Sequence, residues 1–582
     1  MENQNVLLSV KDLEVKFRVR GRILTAIRGI SLDIYENESI AIVGESGSGK
    51  SVFTKTFAGM LDENGFISSG EIIFSDPELA DTKVALTPAA KSKIASVARA
   101  LNESSRLEGG AKTYQEMEAL REEKARRATL NEADEQAMDD RIGELVFERT
   151  EKFNLKQTFD PAKEKDKIKA TAQEIAALDE KIKQFKAEKE KKIADLKRAA
   201  ERDTAYLEAY DRKMAELKAR YAKETANEAS AETKARNEII AKEVYLSVGR
   251  YSAVKRSRTI NKLLAALKDA MKKGVDLNDD KQRSEVFDPI AFRVRYLDET
   301  PEQLHGTCVL NLANIKDAHD WTQIRGRRIA TVFQDPMTSL NPIITIGKQI
   351  TSIIIKHQQC SEVQARERAI ELMKKVGIPN AEKRFDDYPF EYSGGMRQRI
   401  VIAIALSCQP KILICDEPTT ALDVTIQAQI LKLLKDLQKE FNYTIVFITH
   451  DLGVVANVAD RVAVMYAGQI VELGEVEEVF YDPRHPYTWA LLSSLPQLAQ
   501  KNTKLFSITG TPPSLYNKIV GDPFAPRNAY CLKIDTLKDP PMFKVTDTHY
   551  AKTWLLDPRS PKYEKPELIQ NIHEKLLEAF NI

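Results

Sequence analysis

The segment from Gly44 to Ser51 constrains the fold of this chain more than any other. Its residues are Gly44, Glu45, Ser46, Gly47, Ser48, Gly49, Lys50 and Ser51. An apolar run (39–43) precedes the segment, and a stretch with helical character (52–61) follows it. Glycines allow successive N–H groups to point at phosphate oxygens, and the start of a helix adds its positive dipole. The segment predicts a phosphate-binding loop, in which Lys50 reaches the β- and γ-phosphates and Ser51 ligates Mg²⁺.

A glycine-rich turn that binds nothing is the alternative interpretation of the same segment. The strand before it and the helix after it provide the context that phosphate binding needs, and they disfavour the alternative.

Length and composition limit the number of domains and the kinds of partner that this chain can have. A chain of 582 residues is long enough for several domains, and 43% hydrophobic residues suffice for their cores. The 87 Lys and Arg residues almost balance the 86 Asp and Glu residues, so no nucleic-acid partner is expected. Five cysteines without paired spacing suit a reducing compartment. Residues 1–12 do not resemble a signal peptide, and no apolar run approaches the ~20 residues that cross a bilayer. A role at a membrane would therefore require partners that span it.

Changes in composition divide the chain into four parts. Residues 1–75 and 310–480 have α/β character, residues 76–309 form a charged insertion, and residues 481–582 form an irregular extension. Within the insertion, apolar residues recur three and four apart, as at Ile175, Leu178, Ile182 and Phe185. This spacing predicts a helical hairpin or small bundle resembling a coiled coil. A solvated, partly disordered excursion is the alternative, because Lys/Glu-rich composition tolerates disorder.

Two carboxylates follow a second apolar strand. The run 412–415 ends in Asp416, Glu417 and Pro418. Acids can lie beside bound phosphates at such a strand end while the strand itself stays buried. Asp416 is expected to hold Mg²⁺, and Glu417 to polarise the water that attacks the γ-phosphate.

A second glycine turn opens another helix at Ser393, Gly394 and Gly395. The N-terminus of a helix is an anion site, so this turn is a second candidate for phosphate binding. Two phosphate-binding helix starts with one phosphate-binding lysine suggest a nucleotide that two chains share.

In these features the chain resembles the ATP-binding cassette subunits of ABC transporters. The resemblance implies an α/β P-loop ATPase fold, interrupted by the insertion, with Ser393–Gly395 as its signature. It further implies a Q-loop glutamine at Gln334, which also serves the metal, a D-loop at Ala421–Asp423 and a switch histidine at His450. Phe17 lies where the family places an aromatic ring against adenine. By this resemblance Lys50, Gln334, Glu417 and His450 are catalytic, with ATP and Mg²⁺ bound.

Longer runs narrow the resemblance to the oligopeptide/dipeptide importer branch, and most closely to its D-type ATPase subunit. They lie at 333–342, 393–399, 450–455, 485–488 and 491–492. The implied function is ATP hydrolysis that powers the uptake of short peptides. Importers of dipeptides or of small solutes such as nickel or glutathione are the alternatives within the branch.

The same resemblance implies a set of partners. It predicts a head-to-tail pair with a related F-type ATPase, two membrane-spanning permease subunits, and a peptide-binding protein outside the membrane. The chain is then peripheral, on the cytoplasmic face of the cell membrane. A coiled-coil ATPase of DNA maintenance is a remote alternative, but in those proteins the coiled coil follows the Q-loop, whereas here the insertion precedes Gln334.

Many members of the branch have four cysteines in the C-terminal extension that are thought to hold an iron–sulfur cluster. Here the matching positions are Asp522, Asn528, Asp535 and, less closely, Thr553, while Cys531 lies off the pattern. Because such clusters need thiolate ligands, none is expected in this chain.

Overall fold

The structure is a computed structural model. It describes residues 5–19, 21–159, 164–287, 290–420, 422–494, 508, 510–516, 519–566, 569, 570 and 572. The chain divides into two compact units. The first consists of Met1–Ala80 and Val309–Ile582, and the second of Asp81–Cys308.

The strands of the described residues, in chain order, are β1 (Val6–Val19), β2 (Arg22–Tyr35), β3 (Ser39–Val43), β4 (Gly65–Phe74), β5 (Asp81–Ala85), β6 (Phe292–Glu299), β7 (Gln303–Asn311), β8 (Ile329–Val332), β9 (Ile412–Asp416), β10 (Thr444–Thr449), β11 (Arg461–Tyr466), β12 (Gln469–Glu475), β13 (Phe543–Lys544) and β14 (Tyr550–Ala551).

The α-helices are α1 (Lys50–Phe57), α2 (Pro77–Ala80), α3 (Pro88–Ser105), α4 (Ala111–Arg127), α5 (Glu132–Thr158), α6 (Lys165–Arg202), α7 (Thr204–Glu224), α8 (Ala231–Val248), α9 (Ala253–Lys273), α10 (Asp280–Val286), α11 (Ala318–Trp321), α12 (Pro336–Ser339), α13 (Ile346–Gln358), α14 (Glu362–Lys375), α15 (Ala381–Arg384), α16 (Gly394–Leu406), α17 (Val424–Phe441), α18 (Leu452–Val458), α19 (Val476–Tyr481) and α20 (Pro486–Ser493).

A mixed sheet forms the centre of the first unit, with the strand order β13-β14-β12-β11-β3-β10-β9-β8. The strands from β11 to β8 are parallel, and β3 and β10 are buried along their whole length. Strands buried on both faces read as continuous apolar runs, which is why β3, β9 and β10 are visible in the sequence. The predicted α/β fold class is confirmed.

A second, antiparallel sheet in the same unit pairs β1 with both β2 and β4. The sequence predicts two strands at 7–10 and 13–17, but the structure has the single strand β1. The pairing with β2 shifts register between Val10 and Leu13, and Asp12 has a φ of 46°. A local irregularity in one long strand therefore produced the apparent break in the pattern.

The second unit has its own core. Apolar side chains from α3, α8 and α9 form a buried cluster that includes Leu101, Val244, Leu263 and Leu267. In the same unit β5 and β6 both pair with β7. The chain leaves this unit within β7, at Cys308.

Helices α4, α5, α6 and α7 of the second unit pair in an antiparallel hairpin. Met117 and Leu120 of α4 cluster with Met214 and Leu217 of α7. Farther along the hairpin, Lys152 of α5 pairs with Glu174 of α6 at 2.8 Å. This arrangement agrees with the helical hairpin, while coiled-coil packing of its seam stays a prediction.

Lys189 lies between Phe185 and Ile193, where the three-and-four spacing of apolar residues along α6 is interrupted. Its side chain is only 18% exposed, and Nζ lies 3.0 Å from Glu135 and 2.7 Å from Asp139 on α5. A polar residue at a seam position fixes the register of facing helices. The shift in the apolar pattern therefore coincides with an ionic contact across the hairpin.

None of the helices in the described part of the chain is long and apolar enough to cross a membrane.

Candidate functional site

The loop after β3 has a backbone that only glycine adopts easily. Gly44, Gly47 and Gly49 have φ values of 153°, 80° and 102°. A Cβ atom at Gly44 would lie 2.2 Å from the carbonyl oxygen of Met465, and one at Gly49 would lie 3.1 Å from that of Ala26. Both conformation and close packing therefore require glycine at these two positions.

Lys50 begins α1 and folds back over the loop. Its Nζ donates to the carbonyl oxygens of Gly44 at 2.7 Å and Glu45 at 3.0 Å, and the residue is buried. Burial lowers the pKa of Lys50, while the charges of Glu417, Asp416 and Glu45 act in the opposite direction. The ammonium group is thus held at the mouth of the loop, where a phosphate can replace the carbonyl groups as its partner.

Asp416 ends β9 beside this loop. The hydroxyl of Ser51 donates to Asp416 Oδ1 at 3.2 Å. Burial raises the pKa of Asp416, and the hydrogen bond from Ser51 opposes that shift. A hydroxyl and a carboxylate oxygen side by side suit Mg²⁺, which prefers hard oxygen ligands.

Glu417 is the centre of a second group of contacts. Its Oε2 accepts hydrogen bonds from Gln334 Nε2 at 2.9 Å and from Thr420 Oγ1 at 3.1 Å. Its Oε1 lies 3.2 Å from His450 Nδ1. The structure therefore brings Gln334 and His450 onto the same carboxylate, whereas the sequence does not single out Thr420.

Backbone geometry explains how Glu417 reaches this place. The residue has a φ of 46°, in the left-handed region, and its N–H donates to Ile448 of β10 at 2.9 Å. The chain thus turns sharply where β9 ends and stays tied to the neighbouring strand. Such strained positions often occur at functional sites. We call Lys50, Ser51, Gln334, Asp416, Glu417 and His450 the strand-end cluster.

The turn at Ser393–Gly395 is built differently. Ser393 caps α16 and accepts a hydrogen bond from the N–H of Met396 at 3.4 Å. A Cβ atom at Gly395 would lie 2.7 Å from Ile426 of α17, so glycine permits the close packing of these two helices. Ser393 and Gly394 are exposed. Among the described residues, no hydrogen bond or ion pair joins this turn to the strand-end cluster.

The remaining predicted residues are Phe17 and those of the predicted D-loop. Phe17 is half-buried on β1, opposite Leu24 of β2. Two residues farther along β2, the carbonyl of Ala26 lies beside Gly49. In the predicted D-loop, Asp423 caps α17 by accepting from the N–H of Ile426 at 2.9 Å, whereas Ala421 lies outside the described residues.

The residues around the loop fit a nucleotide. Ser48 Oγ is buried and has no hydrogen-bond partner among the described residues, so it is an unmet polar group inside the predicted phosphate cradle. Lys50 supplies a cation and α1 a helix N-terminus beside it. Ser51 and Asp416 present adjacent oxygen atoms of the kind that Mg²⁺ prefers as ligands.

The four C-terminal positions that match the cysteines of the branch do not fit an iron–sulfur cluster. Asp522, Asn528, Asp535 and Thr553 are all buried. Each side chain instead accepts a hydrogen bond from a backbone N–H within three residues, at 2.9, 2.9, 2.6 and 3.3 Å respectively. In the described part of the chain, no group of three or more His, Cys, Asp or Glu side chains is placed to hold a metal ion.

Two family profiles match the chain. The ABC transporter profile matches residues 27–259 and 294–420. The profile of the oligopeptide/dipeptide transporter C-terminal region matches residues 471–534.

Named relatives agree with both profiles. The oligopeptide transport ATP-binding protein AmiE of Streptococcus pneumoniae is 65% identical over 268 residues, which are 46% of this chain and 76% of that protein. The oligopeptide transport ATP-binding protein OppD of Bacillus subtilis is 61% identical over 44% of this chain and 72% of its own length. The dipeptide transport ATP-binding protein DppD of Lactococcus lactis is 59% identical over 43% and 72%.

The buried Asp522 provides a pH-dependent prediction. Burial raises the pKa of this carboxyl to about 7, with Asp535 and Asp539 adding to the shift. The folded state then retains a proton that the unfolded state releases above its ordinary pKa of about 4, so stability falls as pH rises from about 4 to about 7. Asp522→Asn removes this pH-dependent contribution to the free energy of unfolding and keeps an acceptor for the N–H of Phe524.

We expect the melting temperature of Asp522→Asn to rise relative to that of the wild-type chain between pH 5 and pH 8. The control is Asp557→Asn, because Arg559 holds the pKa of Asp557 at about 2, already below this range. A melting difference for Asp522→Asn that does not change with pH would show that Asp522 is ionised throughout.

Proposed function

This chain belongs to the ABC transporter family, and on that premise we propose that its ATPase activity powers the import of short peptides through permease subunits. The resemblance to the oligopeptide/dipeptide branch is confirmed by the relatives at 59–65% identity and by the match of the C-terminal region. The relatives' names concern oligopeptide and dipeptide transport, and this substrate class is the one we assign here.

The observation that supports hydrolysis most directly is the contact set of Glu417. A carboxylate held by Gln334, Thr420 and His450 is fixed in position and can orient a water molecule and accept its proton. Lys50 and the loop 44–51 bind the phosphates of ATP. Ser51, Asp416 and Gln334 hold Mg²⁺, which neutralises phosphate charge when bound.

The exposed signature turn suggests how the site is completed. Ser393 and Gly394 are exposed at the start of α16, and among the described residues the turn makes no hydrogen bond to the strand-end cluster of its own chain. We infer that this turn binds the γ-phosphate held by the loop of a second ATPase of the F type, in a head-to-tail pair. Phe17 is the residue we assign to adenine.

Glu417→Gln tests the catalytic assignment. The amide retains the size of the side chain and one acceptor oxygen, but it is a poor base, so we expect MgATP binding to persist while turnover falls by about 10² or more. The ATP-bound pair should then accumulate, as measured by size-exclusion chromatography with the partner ATPase.

Two control variants are measured together with Glu417→Gln. Lys50→Ala should lose nucleotide binding and so give neither turnover nor the pair. Glu440→Gln changes an exposed glutamate that pairs with Lys375 on the surface, and it should turn over ATP like the wild type. Unchanged turnover in Glu417→Gln would contradict the role of Glu417.

The partners are tested by affinity purification from detergent-solubilised membranes of the native cell. A peripheral subunit on the cytoplasmic face should bring down two permease subunits and a second ATPase, with an extracytoplasmic peptide-binding protein bound to the permease. The untagged strain is the control. Recovery of DNA-bound complexes with DNA-stimulated ATPase activity, and no permease, would favour the DNA-maintenance alternative.

We also propose that the C-terminal extension holds no iron–sulfur cluster. The four matching positions supply carboxylate, amide and hydroxyl groups whose oxygens already accept backbone hydrogen bonds. Anaerobically purified chain should contain far less than one iron atom per molecule by elemental analysis. Stoichiometric iron with acid-labile sulfide would contradict the proposal.

A further inference from the structure

The C-terminal extension returns to the phosphate-binding loop through one arginine. Arg527 ends the short 3₁₀ helix Ala525–Arg527, and its side chain is only 5% exposed. Its Nη1 donates to Glu45 Oε2 at 2.7 Å, and its Nη2 donates to Glu45 Oε1 at 3.0 Å. Paired parallel hydrogen bonds of this kind are strong and fix the orientation of the carboxylate.

A second contact binds the backbone of the same glutamate. The N–H of Glu45 donates to the hydroxyl oxygen of Tyr487 at 2.7 Å. Tyr487 is fully buried, and its ring packs against Tyr466 and Phe524 at centroid distances of 4.6 and 5.4 Å. Arg527 also donates to the hydroxyl of Tyr466 at 3.1 Å. Side chains outside the loop therefore fix both the main chain and the carboxylate of Glu45.

The charge of Glu45 makes this contact relevant to nucleotide affinity. The residue lies inside a loop that must bind a polyphosphate, and its carbonyl oxygen is 3.0 Å from Lys50 Nζ. A carboxylate released at this place would repel the phosphates and compete for the lysine. The guanidinium neutralises the carboxylate and holds it on the side of the extension.

We propose that Arg527 is a positioning residue of the ATP site, which holds and neutralises Glu45 so that Lys50 and the loop N–H groups are available to phosphate. The inference rests on the proposed function, because it takes the loop as the ATP site. It assigns the C-terminal extension a direct effect on nucleotide affinity.

Arg527→Met tests the proposal in the full-length chain, because methionine fills much of the space without the charge or the donors. We expect the Kd for a fluorescent ATP analogue with Mg²⁺, and the KM for ATP, to rise about tenfold or more. The kcat should change much less, because Arg527 does not touch the reacting atoms.

A second substitution separates electrostatics from damage to the fold. Adding Glu45→Gln to Arg527→Met removes the released carboxylate, so it should restore most of the affinity. A purely structural role predicts the opposite, because the double variant lacks the same contacts. Where Arg527→Met does not fold, Arg527→Lys serves instead, because it keeps a charge but loses the fork and should give an intermediate Kd.

Arg559→Met is the matched control. Arg559 forms a similar paired contact with Asp557, at 2.8 and 2.8 Å, but its side chain is 84% exposed, and within the described residues no hydrogen bond or ion pair links it to the loop. Its substitution should leave the Kd for ATP unchanged.

The possible results separate the role of Arg527 from the proposed function of the chain. Wild-type affinity in Arg527→Met, or a double variant that binds as weakly as Arg527→Met, would overturn the role of Arg527 while the proposed function stands. A wild-type chain that binds no MgATP would overturn the proposed function and this inference with it.

Discussion

The parallel alignment of β8, β9, β10 and β3 is the constraint on which the site depends. Val332 lies opposite Cys415, Ile448 opposite Asp416, and Thr449 opposite Val43. Parallel strands end at one edge, so the loops that follow them deliver Gln334, Glu417, His450 and the glycine loop to the same place. A one-residue slip would move every side chain of a strand to the opposite face of the sheet, where the packing does not match it, so the packing of these strands also fixes the register of the site.

The insertion leaves this constraint intact. Within the described residues, the parallel strands all come from the first unit, and the chain enters and leaves the second unit at Asp81 and Cys308. On the side of the first unit, Phe74 of β4 pairs with Leu310 of β7, so the two ends of the interruption are held close together. The entropy of closing a loop grows only slowly with its length, and a folded insertion between adjacent strands therefore costs the ATPase unit little.

Local pattern singled out Lys50, Ser51, Asp416 and Glu417, which follow an apolar run or begin a helix, whereas Gln334 and His450 came from the family resemblance alone. The contacts that position those members were beyond the sequence. Glu45 and Arg527 are 482 positions apart, and an arginine in a proline-rich extension has no periodicity that marks its partner. Thr420 follows Glu417 by three residues, and no sequence pattern predicts the left-handed turn at Glu417 that accompanies the hydrogen bond between them. The single strand β1 was missed because an irregularity at Asp12 interrupts its alternation.

Local hydrogen-bonded turns stabilise the C-terminal extension. One long-range contact, from Arg527 to Glu45, joins the extension to the phosphate-binding loop. Asp522 and Asp535 close their own turns, and the N–H of Asp522 donates to the carbonyl of Asp535 at 2.7 Å, so the two turns support each other. Phe524, two residues after Asp522, packs on Tyr466 and Tyr487, and Arg527 follows in the next turn. The groups that hold the extension together thus also set the position from which Arg527 reaches Glu45. Loosening these turns would therefore displace the guanidinium from Glu45, whereas the described pairing of β3, β8, β9 and β10 involves no strand of the extension.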